Sequence, residues 1–117
     1  MLPADANGNF LQVAQPVPGT LQRLAPTSGS ASLSAAFSPR AVGIGVRVRS
    51  VGTGIGHVQF VDDATAATVA DLGLTNDDGW MYFSLLGVKA DGTKFKATKI
   101  SVFAETATVN VDIVEIH

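Results

Sequence analysis

The stretch that decides the fold is Arg40–Val61, which reads RAVGIGVRVRSVGTGIGHVQFV. From Val42 to Val48 every second residue is valine or isoleucine, and the residues between them are glycine or arginine. Strict alternation with a period of two is typical of a β-strand that buries one face. A second alternating run, Ile55–Val61, follows a turn rich in glycine. The two runs therefore predict an antiparallel hairpin.

Similar runs recur along the rest of the chain, separated by turn residues. The further predicted strands are Ala31–Phe37, Trp80–Leu86, Phe95–Ala104 and Thr108–Ile116, with a bulge near Thr98–Lys99 where the alternation changes register. Ala64–Leu74 has mixed propensities and is predicted to be mostly loop with a short strand or a single turn. About seven to eight strands at this spacing predict an all-β fold, an antiparallel β-sandwich or jelly roll.

The first thirty residues differ from the remainder in composition, since they hold four of the five prolines. Proline removes backbone donors and interrupts regular ladders. We predict an extended N-terminal arm over residues 1–30 and a β-sandwich domain over residues 31–117. The arm's apolar residues would dock on a neighbouring subunit; they are Phe10, Leu11, Val13, Leu21 and Leu24. The alternative interpretation is a disordered chain end.

Two predicted strands are apolar on both faces, which a strand with one solvated face would not be. In Trp80–Leu86 both parities carry large apolar side chains, and Ile113–Val114 breaks the alternation of the last strand. Either loops or another chain would cover the second face. The candidates for a subunit interface are Trp80, Tyr82, Val114 and Ile116. The alternation places Arg47 and Arg49 on the same face of their strand. This face is predicted to be solvated or, alternatively, to form a salt-bridged contact with an acidic partner.

Composition excludes several classes of function. Of the 117 residues, 46% are hydrophobic and only 15% are charged, so we expect partners to cover part of the surface. The net charge of −2 gives no electrostatic reason to expect nucleic acid. No apolar run approaches the roughly 18 residues of a membrane span. We see no signal peptide and expect synthesis in the cytoplasm.

The residues offer little catalytic chemistry, so we predict neither an enzyme nor a cofactor or metal site. The two histidines lack metal-ligand spacing, and there is no cysteine. Asp62–Asp63 and Asn76–Gly79 could supply oxygen ligands for calcium but are interpreted as turns. No Gly-x-Ser-x-Gly motif is present. Trp80 and Tyr82 could instead stack on a sugar, which would make the chain a glycan-binding β-sandwich module.

Four stretches, read in order, carry a family resemblance: Ala41–Val48, Gly56–Phe60, Trp80–Phe83 and Thr108–Val111. Together with the proline-rich start they resemble small β-sandwich virion proteins of tailed bacteriophages, the kind that decorate capsids. The resemblance implies a decoration or cement protein on the capsid surface that binds neighbouring major capsid protein subunits. It also implies a homo-oligomer, with a trimer favoured.

Overall fold

The structure, a computed structural model, describes residues 21–49 and 54–117, which form an all-β fold. No helix in these ranges is long and apolar enough to cross a membrane. A single 3₁₀ turn, Asn76–Asp78, lies between the fifth and sixth strands of the described chain. The ten strands are β1 Gln22–Leu24, β2 Ala31–Leu33, β3 Gly43–Val48, β4 Gly56–Val61, β5 Leu72–Leu74, β6 Met81–Ser84, β7 Leu86–Val88, β8 Lys94–Lys96, β9 Lys99–Ala104 and β10 Val111–Ile116.

Eight of these strands form two antiparallel sheets that enclose the core. Sheet I has the order β1-β10-β3-β6, and sheet II has the order β2-β9-β4-β5. Strands β7 and β8 form a separate hairpin. The predicted antiparallel β-sandwich is confirmed. The strands outnumber the prediction partly because two predicted strands are each divided, one into β6 and β7 and the other into β8 and β9.

The alternation of the deciding stretch is confirmed in the core. Ile44, Val46 and Val48 are buried and point from sheet I toward sheet II. They pack in one cluster with Val111 and Ile113 of β10 and with the inward residues of sheet II, which are Val58, Ile100, Val102 and Ala104. Each large aliphatic side chain buried in this way contributes roughly 1.5–3 kcal/mol.

The predicted hairpin between β3 and β4 is wrong. β3 pairs with β10 and β6 in sheet I, whereas β4 pairs with β9 and β5 in sheet II. The two strands bury their apolar faces in the same core from opposite sides. Alternation reports that one face is buried, but it is the same for hairpin partners and for strands that face each other across a sandwich.

The predicted strand Ala31–Phe37 is shorter than expected, and its residues do not share one face. β2 ends at Leu33, which is exposed, whereas Phe37 is buried in the core. At Ser34 the backbone N–H still donates to the carbonyl of Ile100 at 2.9 Å, but the N–H of Ile100 donates to the Ser34 hydroxyl at 3.0 Å. The side-chain hydroxyl thus takes the place of one backbone acceptor where β2 ends.

The boundary predicted for the arm at residue 30 is also corrected. Gln22–Leu24 form β1, which pairs with β10 at the edge of sheet I. Leu24 packs against the core of its own chain and is therefore not available as an arm anchor. Leu21 precedes β1 and is exposed. Phe10, Leu11 and Val13 lie outside the described residues.

The register change predicted near Thr98–Lys99 coincides with a change of sheet. β8 belongs to the hairpin, whereas β9 belongs to sheet II. Between them the N–H of Ala97 donates to the carbonyl of Leu85 at 2.8 Å, and the N–H of Thr98 donates to that of Val61 at 3.0 Å. The chain thus passes from one partner to the other without losing backbone hydrogen bonds.

Candidate functional site

The outer face of sheet I carries the most unusual arrangement of side chains in the described chain. Because Val111 and Ile113 point into the core, Asp112 and Val114 point outward. The pairing places Arg23, Asp112 and Arg47 in one row across β1, β10 and β3. Arg49 lies two residues beyond Arg47 and has the same orientation.

Asp112 is buried beneath three arginines, although it lies on the outer face. Its exposed fraction is 1%. The Nη2 of Arg47 and the Nε of Arg49 each lie 2.9 Å from its Oδ2. The Nε of Arg23 lies 3.3 Å from Oδ1, an ion pair without hydrogen-bond geometry. The arginine side chains are 65%, 40% and 40% exposed for Arg23, Arg47 and Arg49. The carboxylate is therefore the buried part of the cluster, and the guanidinium groups lie between it and the solvent.

Trp80 extends this row onto the chain just before β6. The guanidinium carbon of Arg47 lies 4.8 Å from the centre of the Trp80 ring, a cation–π contact. This contact holds Arg47 between an aromatic ring and the carboxylate of Asp112. Its Nε is buried and has no hydrogen-bond partner.

The next row of the same face is apolar and has a glycine at its centre. Val114 of β10 lies opposite Gly45 of β3, and Gly45 lies opposite Tyr82 of β6. A Cβ atom at Gly45 would lie 2.9 Å from Cε1 of Tyr82 and 3.1 Å from Cγ1 of Val114. The tyrosine ring thus leans over the glycine, yet Tyr82 remains 59% exposed. Ile116 and Gly43 continue the row pattern one step further.

All four predicted interface residues are therefore brought onto one face: Trp80, Tyr82, Val114 and Ile116. Whether that face is an interface stays a prediction. Sequence reasoning placed Arg47 and Arg49 on a sheet face but missed their partner. Asp112 follows the pattern of a solvated strand residue, and it lies 65 positions from Arg47. The sequence showed only that Asp112 points to the opposite face of the strand from its neighbours Val111 and Ile113.

The outer face of sheet II has a different cover, the loop between β4 and β5. Ala67 in this loop is 2% exposed, and its N–H donates to the hydroxyl of Ser101 at 2.9 Å. His57 joins the loop to the end of β9. Its Nδ1 donates to the carbonyl of Asp71 at 2.8 Å, and its Nε2 lies 2.9 Å from Oε2 of Glu105.

His57 has an acceptor at each ring nitrogen, which favours the doubly protonated ring. Burial alone lowers the pKa of His57, and this is the largest single effect. The hydrogen bonds to Glu105 and to the Asp71 carbonyl, together with the charges of both carboxylates, outweigh it and leave the pKa above 6.5. The His57 ring thus connects the loop, at Asp71, to Glu105 at the end of β9.

The two acidic turns considered for calcium have internal hydrogen bonds. Oδ1 of Asp63 accepts from the N–H of Thr65 at 2.9 Å, and hydrogen bonds from Thr65 lower the pKa of Asp63. Oδ2 of Asp78 accepts from the N–H of Thr75 at 2.8 Å. Within residues 21–49 and 54–117, no group of three or more His, Cys, Asp or Glu residues could hold a metal ion.

Comparison of the chain with protein-family models, with curated proteins and with solved structures found no match in any of the three.

Proposed function

We propose that the chain is a structural, non-enzymatic protein of a tailed-phage virion that decorates the capsid. It would bind neighbouring major capsid protein subunits from the capsid surface, as a homo-oligomer for which a trimer is favoured. The observation that carries the proposal is the exposed face of sheet I, where three arginines cover a buried carboxylate and the exposed ring of Tyr82 lies in the next row. Aromatic residues and arginine are the types most enriched in protein interfaces.

Further exposed apolar side chains support a surface made for protein contact. Met81 of β6 and both ends of β7, Leu86 and Val88, are exposed. β6 is an edge strand without a charged residue, and uncharged edges readily accept a partner. Buried area of standard size, about 1,600 Å² in total, would suffice for stable attachment.

The alternative, glycan binding through Trp80 and Tyr82, has weaker support. Tyr82 offers an exposed ring, but Arg47 already stacks on Trp80. A sugar platform uses open aromatic faces, and a guanidinium on the ring competes for that position. Binding of a protein partner does not require Arg47 to leave the Trp80 ring.

The deciding experiment is quantitative mass spectrometry of virions purified from the source. A copy number comparable to that of the major capsid protein is expected. A few copies per particle would indicate a tail or vertex component instead, and absence from the virion would overturn the proposal.

The arm is tested in the full-length chain, because β1 begins at Gln22 and must be kept. A triple variant, Phe10→Ser with Leu11→Ser and Val13→Ser, removes three apolar anchors outside the described sandwich. If the arm docks on a neighbouring subunit, the variant keeps its thermal unfolding transition and binds purified capsids more weakly. Unchanged capsid binding would remove the arm from the proposal.

A further inference from the structure

The charge on the outer face of sheet I is unbalanced. Three of the chain's four arginines converge there on one carboxylate. The cluster of Arg23, Arg47, Arg49 and Asp112, here called the arginine cluster, carries a formal charge of +2 in a chain of net charge −2. Three of the chain's eight lysine and arginine residues therefore lie at one point of the surface.

The donors of the cluster exceed the acceptors that Asp112 provides. Each guanidinium carries about five N–H donors, whereas one carboxylate has about four acceptor positions. Oδ2 of Asp112 already receives both Arg47 and Arg49. The cluster has donors left for a second anion.

The guanidinium groups are held in place before any partner arrives. Arg47 lies between the Trp80 ring and Asp112, and Arg23 lies opposite Asp112 in the sheet register. Ordering a flexible side chain costs about 0.5–1.5 kcal/mol on binding, and this cost is reduced here because the arginines are already placed. Guanidinium forks match carboxylates in geometry, which lysine does not.

An apolar surface adjoins the cluster. The exposed ring of Tyr82 and the side chain of Val114 meet over Gly45, one row along the same face. A ligand that reaches both rows needs an anionic group with an apolar group a few ångströms away. Neighbouring rows are reached by side chains of an extended peptide, which repeat on one side about every 7 Å.

We infer that the outer face of sheet I binds an acidic protein segment, whose carboxylate contacts the arginine cluster and whose adjacent apolar side chain packs against Tyr82 and Val114. The inference specifies the chemistry of the partner that the proposed function requires, and it therefore rests on that function. A second copy that presents the same face would bring two clusters of +2 together, which disfavours a face-to-face dimer.

The test uses the full-length protein and two capped peptides, Gly-Glu-Phe-Leu-Glu-Gly and its Gln counterpart Gly-Gln-Phe-Leu-Gln-Gly. Binding is followed by NMR titration, which reports the arginine Nε–H signals and the Tyr82 ring together. The Glu peptide is expected to shift the signals of Arg23, Arg47 and Tyr82. The Gln peptide is expected to bind about tenfold more weakly, because it lacks charge-assisted hydrogen bonds.

Matched variants separate the cluster from general charge. Arg23→Gln with Arg49→Gln removes two cations and leaves Arg47 on Asp112, so the fold is kept; affinity for the Glu peptide should fall about tenfold. Lys89→Gln with Lys94→Gln removes two exposed cations elsewhere and should not change affinity. An equal loss in both double variants would overturn the inference.

Two other outcomes would also overturn it: no shift with either peptide at millimolar concentration, or tighter binding of an oligothymidylate than of the Glu peptide. These outcomes are independent of virion abundance. If the protein is a major virion component but the cluster ignores carboxylates, the inference fails alone. If the Glu peptide binds and the virion lacks the protein, the proposed function fails alone.

Discussion

The outer face of sheet II is closed by the chain's own loop, whereas the outer face of sheet I holds its polar groups beneath exposed arginines. On sheet II, Ser101 and His57 are both bonded to the loop between β4 and β5. On sheet I, Asp112 is equally inaccessible, but its partners are 40–65% exposed. Both faces pair most of their buried polar groups, although Nε of Arg47 and Oδ1 of Asp112 on sheet I have no hydrogen bond. Sheet I keeps three arginines and the Tyr82 ring available to another molecule.

The strongest way to break this comparison is to remove Asp112. Asp112→Ala leaves three guanidinium groups without their carboxylate, and we expect the free energy of unfolding to fall by about 3 kcal/mol. This value is at the low end for a broken buried ion pair, because the arginines can turn toward water. Urea unfolding measures it.

The matched control for Asp112 is Asp63→Ala, which removes a carboxylate from an exposed turn. Its effect on the urea midpoint should be much smaller than that of Asp112→Ala. If the two variants have similar urea midpoints, the carboxylate of Asp112 does not stabilise the fold. The outer faces of sheet I and sheet II would then differ only in the exposure of their side chains.

The loop on sheet II should loosen as the pH rises. The pKa of His57 is raised above the unfolded value of about 6.5. A raised folded-state pKa means that protonation stabilises the fold. This stabilisation is complete below about pH 6.5 and is lost as the pH rises through the folded-state pKa. The midpoint of urea unfolding should therefore decrease with pH on the alkaline side of 6.5.

Two variants assign this pH step. His57→Gln should flatten it and lower stability by about 1–2 kcal/mol at pH 6, since the Asp71 carbonyl and the Glu105 carboxylate lose a charged donor. His117→Gln, which replaces the other histidine of the chain, is the comparison variant. The protection factor of the Ala67 amide, which is bonded to Ser101, should fall at the same pH once the base-catalysed rise of intrinsic exchange is divided out. A step that persists in His57→Gln would show that another group fastens the loop.

The sequence predicted most successfully which side chains of a strand face the core, because the alternation of apolar and polar residues encodes this. The inward faces of β3 and β10 followed from Ile44, Val46, Val111 and Ile113, because an unbroken period of two assigns each side chain to a face. The partner of β3 did not follow, since alternation carries no information about which strand lies beside it. β10, its actual neighbour, is separated from it by seven intervening elements.

The candidate site was predictable only in part, for a related reason. Trp80 and Tyr82 were predicted as candidate site residues because two aromatic residues at alternate positions of one strand are unusual in themselves. Asp112 was not, because Val-Asp-Ile is what any half-buried strand would show. Its role depends on Arg47, 65 positions away, and likewise His57 depends on Glu105, 48 positions away. Such pairs arise from the order of strands in a sheet, which residue patterns leave open.

The smallest expected change in stability concerns Tyr82, and it is the sharpest test of whether the face of sheet I is free. Tyr82→Ser should change the free energy of unfolding by no more than about 0.5 kcal/mol, because the ring is 59% exposed. The control is Phe83→Ser on the same strand, whose side chain packs against the core and contacts Phe60, and which should cost about 3 kcal/mol. Parallel urea titrations compare the two. Comparable losses would mean that Tyr82 holds sheet I together over Gly45, so that the exposed ring serves the fold. A large difference would mean that the ring contributes little to the fold and is free to contact another molecule.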